Sequence, residues 1–260
     1  MAQSAFPPIG TPGWVDLSSE DPEASRQFYT ALFGWTVDVI ADPNAGGYGM
    51  FKLNGKEVAG VGPRPHDQQP TLWNSYVLVD DAAAVTAKVK DAGGTVILEP
   101  FDVMGAGWMG VIADPSNAII SLWQPGTHHG CEVFGVPGSF CWLELNSRDI
   151  ASDKLFYWTV FGWDPSESAT PGYTEFKLGD AVIAGGMALP AGRPADIPSH
   201  WLVYFGVADV DAAAAKVTEL GGSVIHPPED IPGDIGRFAV AHDPQGAVFG
   251  LLTSTRFSAS

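Results

Sequence analysis

The chain repeats itself at a nearly constant offset, and this constrains its fold more than any other feature. WVDLSSEDPEASRQFYTALFGW begins at Trp14, and WLELNSRDIASDKLFYWTVFGW begins at Trp142. The offset, 142 − 14 = 128, also pairs Asp21 with Asp149, Tyr29 with Tyr157, Trp73 with Trp201 and Tyr76 with Tyr204. Further on, ADPSNAIISLW (113–123) matches HDPQGAVFGLL (242–252) at an offset of 129, one residue having been inserted. Self-similarity over nearly a whole chain means a duplicated unit. At 260 residues there is room for two domains of ordinary size.

Each half restarts once within itself. A strand at 13–19 leads to a helix capped by Asp21, with Pro22 at its first position and Ala24, Phe28 and Leu32 at helical spacing. Three short strands follow near 35–40, 47–53 and 57–62. TLWNSYVLV then reads as a strand, and DDAAAVTAKVKDAGG as a helix running from an Asp cap to a Gly stop. Three more strands end at Trp123, and the second half repeats the order with HWLVYFGV and ADVDAAAAKVTELGG. The fold class expected is α+β, built from four β-α-β-β-β modules in two domains, 1–126 and 139–260, with a linker at 127–138. PGTHHGCEVFGVPGSF (125–140) is rich in Gly and Pro. It reads as a connection on whose backbone few contacts depend, and so as the first site of proteolysis.

Charge narrows the partners. Thirty acids against 13 Lys and Arg give a net charge of −17, which speaks against nucleic acid and suits cationic small molecules. No stretch approaches the 18 apolar residues of a membrane span, and MAQSAFPPIGTPG has no signal-peptide pattern, so the expected location is cytoplasmic with no membrane partner. Cys131 and Cys141 read as reduced thiols, although a disulfide across the ten-residue interval is open to them.

Three features carry a family resemblance. They are D-x(6)-FY-x(3)-FGW in both halves, V-x-D before the second helix of each half, and the DP-x-(G/N) turns at 114–117 and 243–246. Over residues 11–252 the chain resembles the vicinal-oxygen-chelate superfamily of glyoxalases, extradiol dioxygenases, methylmalonyl-CoA epimerases and bleomycin-resistance proteins. It is most similar to double-length members labelled glyoxalases or hydroxylases. The resemblance implies two glyoxalase/bleomycin-resistance-like domains whose sheets form ligand-holding cups. Metal-using members take ligands from the first strand, the strand before the second helix, and the last strand of a domain. Those places hold Trp14, Asn74 and Ser121, then Trp142, Leu202 and Gly250. Divalent metals want imidazole, thiolate or carboxylate. The expectation is therefore no metal ligands and no cofactor.

Strand alternation sends Val15 and Leu17 under the helix and Trp14, Asp16 and Ser18 to the other face, and likewise Trp142, Glu144 and Asn146 in the second half. The two Trp residues either fill the vacated metal position or wall a planar guest. Asp16 and Glu144 are either held by internal hydrogen bonds or act as counter-ions or acid/base groups. His200 is an edge histidine or a proton donor. The candidate catalytic residues are thus Asp16, Glu144 and His200. The candidate ligand-binding set is Trp14, Asp16, Asn74, Tyr76, Ser121, Trp123, Trp142, Glu144, His200, Leu202 and Tyr204. His226 and His242 with His200 and Glu144 make a weaker candidate for a rebuilt metal site. Trp35 and Trp163 read as core wedges, and His128-His129 as a solvated turn.

The function expected is metal-independent binding of a small aromatic molecule, cationic where the acids take part, as in antibiotic sequestration or a biosynthetic accessory role. The alternatives are a glyoxalase-like lyase or isomerase, a hydroxylase or oxygenase, and a displayed interaction protein. Either a monomer or a homodimer is consistent with the internal pairing.

Overall fold

A computed structural model describes residues 6–190, 192, 194 and 197–255, so most of the N-terminal segment read for a signal sequence is covered and its first five residues are outside. The first module runs β1 (Pro12–Ser19), α1 (Pro22–Phe33), β2 (Thr36–Val39), β3 (Gly49–Leu53) and β4 (Lys56–Pro63). The second runs β5 (Leu72–Leu78), α2 (Ala82–Asp91), β6 (Thr95–Asp102), β7 (Gly107–Ala113) and β8 (Ile119–Pro125). The third runs β9 (Phe140–Ser147), α3 (Ile150–Phe161), β10 (Asp164–Glu167), β11 (Tyr173–Leu178) and β12 (Ala181–Ala188). The fourth runs β13 (His200–Gly206), α4 (Val210–Glu219), β14 (Ser223–Ile231), β15 (Gly236–His242) and β16 (Val248–Ser254). The four β-α-β-β-β modules expected from the sequence are present.

Each helix starts where the sequence places its cap. Asp21 accepts from the Glu23 and Ala24 amides at 3.1 Å, and Asp81, Asp149 and Asp209 do the same for the amide three residues on. The first and third helices end at Gly34 and Gly162, at φ 72° and 73°, a left-handed conformation that Gly adopts without steric cost. The Gly of each Phe-Gly-Trp motif thus stops a helix and turns the following Trp inward.

Two eight-stranded sheets have the strand orders β2-β3-β4-β1-β5-β8-β7-β6 and β10-β11-β12-β9-β13-β16-β15-β14. Packing divides the described chain differently, into two compact units. One comprises residues up to Gly13, Ser75–Gly130 and Trp142–Leu202; the other comprises Trp14–Asn74, Cys131–Cys141 and residues from Val203 onward.

Each unit is centred on the same buried hydrogen-bond chain. In the Val203-containing unit the Trp73 indole donates to the Tyr29 hydroxyl at 2.9 Å, and Tyr29 donates to Asp243 at 3.0 Å. In the other unit Trp201 donates to Tyr157 at 2.8 Å, and Tyr157 donates to Asp114 at 3.0 Å. Asp243 and Asp114 also accept the amides of their own Asp-Pro turns, from Gln245 and Ala247 and from Ser116 and Ala118. The Tyr of the first motif, the Trp of the second strand and the Asp of the turn therefore form one polar pin inside an aromatic core. Trp35 and Trp163 are the core wedges expected, both buried, donating to the Gly138 and Gly10 carbonyls at 2.6 Å.

The connection at 125–140 is tied down, in contrast to the expectation. Glu57 donates its amide to the Glu132 carboxylate at 2.7 Å, and the Glu132 amide donates to the Glu57 carbonyl at 2.8 Å. Cys131 is fully buried with its thiol on the Val58 carbonyl, and Gly138 bonds to Gly206. Gly126 and Gly130, which read as slack in the sequence, are here close-approach points for backbone, where a Cβ would meet the Ala106 and Gly13 carbonyl oxygens at 2.8 and 2.6 Å. His128 is also not simply solvated, because its ring meets Trp123 edge-on at 5.6 Å and its carbonyl accepts the Trp123 indole. Both cysteines are free thiols, and burial pushes both up and leaves them protonated.

Candidate functional site

The helix-free face of the first strand of each half carries a second hydrogen-bond chain, repeated like the first. Ser19 bonds to Ser25 of α1, which fixes Val15, Leu17 and Ser19 on the helix side and leaves Trp14, Asp16 and Ser18 on the other. On that side the Trp14 indole donates to the Tyr48 hydroxyl at 3.4 Å, and Tyr48 donates to Asp16 at 3.0 Å. Asn74 donates to the second Asp16 oxygen at 2.8 Å and to Ser18 at 2.9 Å. In the other unit Trp142 donates to Tyr173 at 2.9 Å, and Tyr173 donates to Glu144 at 2.9 Å, with Asn146 at 3.5 Å from the same carboxylate. Burial, and after it the Asp16 charge, push the Tyr48 hydroxyl well above its ordinary range, so it stays a donor.

Tyr48 and Tyr173 were not among the residues singled out from the sequence. Their signal lies in glycine. Gly60 pairs with Asp16 and Gly185 with Glu144 on the neighbouring parallel strand. A Cβ on either would stand 1.9 Å from the tyrosine hydroxyl. A strand-interior Gly beside an inward acid marks a close approach, and here the approaching group is the phenol.

The two chains differ in exposure at the Trp. Trp14 is 3% exposed and Trp142 is half-buried, whereas Asp16, Tyr48, Glu144 and Tyr173 are all half-buried. The other predicted residues separate into two groups. Tyr76, Ser121 and Trp123 share one face of β5 and β8, where Tyr76 pairs with Ser121, donates to the Met109 sulfur and meets Trp123 edge-on. All three are buried. His200 is half-buried on the first residue of β13, with its Nδ1 2.9 Å from the Pro198 carbonyl, and Leu202 is buried on the same strand. Tyr204 lies over Gly250, where a Cβ would meet the ring at 2.0 Å. The Tyr ring thus occupies the place where a side chain from the last strand would project.

These positions do not fit a divalent cation. Two carry indoles committed to tyrosine, one a leucine, one a serine, one an amide donating to Asp16, and one a glycine covered by a ring. Among the described residues no group of three His, Cys, Asp or Glu side chains is placed to hold a metal ion, which includes the set drawn from His200, His226, His242 and Glu144. Among the described residues no helix is long and apolar enough to cross a membrane.

The comparisons with known proteins agree with this architecture. The family model for the Glyoxalase/Bleomycin resistance protein/Dioxygenase superfamily matches twice, over residues 11–122 and 139–251. CFP32 of Mycobacterium tuberculosis (strain CDC 1551 / Oshkosh), a candidate glyoxylase by its name, is 43% identical over 250 residues and covers 94% of each chain. The anthracycline biosynthesis protein DnrV of Streptomyces peucetius is 42% identical over 259 residues, covering 94% of this chain and 93% of its own. Among solved structures, a Mn(II)-bound glyoxalase from Novosphingobium aromaticivorans superposes with a TM-score of 0.67 at 18% identity, over 94% of this chain and 82% of that one. The 2,3-dioxygenase LapB from Pseudomonas sp. KL28 does so with a TM-score of 0.64 at 16% identity, over 94% and 92%. At such identities these structures speak to fold alone. Together with the repeated motifs and sheets, the double match makes this chain a member of the Glyoxalase/Bleomycin resistance protein/Dioxygenase superfamily, in the double-length form with two such domains in one chain.

Proposed function

We propose that the protein binds a planar, polycyclic aromatic small molecule with its own side chains and without a divalent metal, in an accessory or sequestering role in the metabolism of such compounds. The observation that carries the reading is that two of the family's metal-ligand positions hold Trp14 and Trp142, each bonded to a tyrosine that donates to the carboxylate two residues along the strand. An indole hydrogen-bonded to a phenol offers aromatic surface for stacking. The carboxylate at the end of each chain is the counter-ion for a ligand ammonium in this reading, and a charge-assisted bond of that kind contributes about 1.5–3 kcal/mol. The Trp142 indole is the more accessible of the two indoles. The 42% identity to a Streptomyces protein named for anthracycline biosynthesis adds a ligand class of the right shape.

The test is a tryptophan-fluorescence titration with an anthraquinone carrying an alkylammonium side chain and with its uncharged analogue, before and after exhaustive chelation. The expected outcome is saturable quenching that chelation leaves unchanged. Glu144→Gln should lower affinity for the ammonium compound about tenfold and leave the uncharged one alone. Binding that vanishes on chelation and returns with manganese, zinc or iron would overturn the reading in favour of a metal-dependent lyase or oxygenase.

A further inference from the structure

The second and fourth modules superpose in sequence, yet their helix-free faces carry different chemistry. In the second module the cross-strand partners Leu98–Val111–Ser121–Tyr76 form one row, and Phe101–Met109–Trp123 lie beside it. Every carbon-rich position there is apolar, with Leu98 and Phe101 42% and 41% exposed. In the fourth module the matching row is His226–Val240–Gly250–Tyr204, and the matching neighbours are Glu229–Phe238–Leu252. Leu98 and Phe101 have become a histidine and a glutamate.

These two side chains are organised. The imidazole stacks on Phe238 with centroids 4.9 Å apart and planes 10° apart. Its Nε2 lies 2.8 Å from a Glu229 oxygen. A carboxylate only accepts, so Nε2 carries a proton, and in the neutral imidazole Nδ1 is the acceptor nitrogen. Among the described residues Nδ1 has no hydrogen-bond partner. The nearby charges lie on the opposite face. Asp230 pairs with Arg237 across β14 and β15, one residue out of step with the Glu229–Phe238 pair, and Arg237 also binds Asp211 of α4 on the helix side. From β13, the Tyr204 ring reaches over Gly250 toward β15 and β14.

We propose that the fourth module holds a polar subsite for an ionisable aromatic or enolic hydroxyl, in which His226, positioned by Glu229 and Phe238, accepts the hydroxyl proton. The proton moves from the ligand O–H to Nδ1. The O–H electron pair stays on oxygen, and the resulting phenolate pairs with an imidazolium whose Nε2–H remains on Glu229. No other reactant is consumed. The subsite specifies which aromatic ligands are taken, those with an acidic hydroxyl, and it rests on the aromatic-ligand reading above. The plainer role is edge protection, because β14 ends its sheet and inward charges discourage edge-to-edge pairing. That role does not explain the first sheet, whose equivalent end strand β6 has Leu98 and Phe101 in these places.

The test uses alizarin, whose visible band moves when its hydroxyl ionises, and its dimethyl ether, with chelated full-length protein at a pH where free alizarin is mostly un-ionised. The expected result is that bound alizarin shows the ionised band and binds at least about tenfold tighter than the ether. His226→Gln should abolish both the band shift and the preference and leave ether affinity unchanged, while Glu229→Gln should reduce both. His226→Leu with Glu229→Phe, which copies the second module, guards against misfolding and should behave like His226→Gln. If wild-type protein binds both probes equally, or if the ionised band survives in both His226 variants, the subsite is wrong while aromatic binding stands. If neither probe binds, both the subsite and the aromatic-ligand reading fall.

Discussion

At the scale of single residues, the two repeats solve the same packing problem with different charges. Beside the Tyr29–Asp243 pin lie Ser19, Ser25 and Gln245, all neutral, with Ser19 and Ser25 bonded at 2.9 Å and Gln245 donating to Ser25 at 2.7 Å. The equivalents beside the Tyr157–Asp114 pin are Ser147, Asp153 and Ser116, so a second carboxylate enters the core, held by Ser147 at 2.5 Å. Burial, and then the Asp153 charge, raise Asp114 from 3.8 to about 7. Its folded pKa lies above its unfolded one, so its contribution is fully present below about pH 4 and is lost as pH rises through about 7. The protein should therefore lose thermal stability between about pH 4 and 7, with a slope of at most about 1.4 kcal/mol per pH unit from this one proton. The double variant Ser116→Gln, Asp153→Ser rebuilds the neutral version and should reduce that slope without abolishing it, because burial, the larger cause at Asp114, also raises Asp243 in the neutral repeat. Melting temperatures of the two proteins across this range, if parallel, would remove the acid pair as the cause.

At the scale of elements, the Phe-Gly-Trp motif is a helix stop, a turn and a wedge, and in the first repeat the wedge holds the inter-repeat connection. Trp35 donates to the Gly138 carbonyl, and Glu57 and Glu132 clamp the segment from the other side. A protease needs several residues of released backbone, so the 125–140 segment should resist limited proteolysis in the native protein. Trp35→Phe keeps an aromatic ring and deletes the indole donor. It should speed cleavage within 125–140 severalfold, in line with about 0.5–1.5 kcal/mol for one hydrogen bond. Mass mapping of the first fragments decides the matter, and first cuts inside 125–140 in the unmodified protein would show the clamp to be ineffective. The strands teach the complementary lesson. The parity of Trp14, Asp16, Trp142 and Glu144 was readable from alternation, whereas the phenols that bind them come from β11 and from the residue before β3, far off in sequence.

At the scale of the whole molecule, a net charge of −17 surrounds a family fold whose metal positions carry no metal donors. Such a field raises the encounter rate of cations and is screened by salt. Stopped-flow association of the ammonium-bearing anthraquinone should slow severalfold between 20 and 200 mM salt, while the uncharged analogue should not change. Equal salt dependence of the two would remove steering from the account. The offset of 128, the caps and stops of four helices and the DP turns determined the modules, their order and the family, because these signals depend only on neighbours along the chain. The six family metal positions were also legible, because each is counted from a helix cap or turn. The tyrosines over Gly60 and Gly185, the polar pins between distant motifs and the His226–Glu229 pair were decided only by tertiary structure. A hydrogen bond between residues tens of positions apart leaves no local period in the sequence, and the His226–Glu229 pair, three residues apart on β14, depends on an irregularity in the strand register between them. What sets it is the register of strands and the missing Cβ beneath a ring, and both exist only once the sheet has formed.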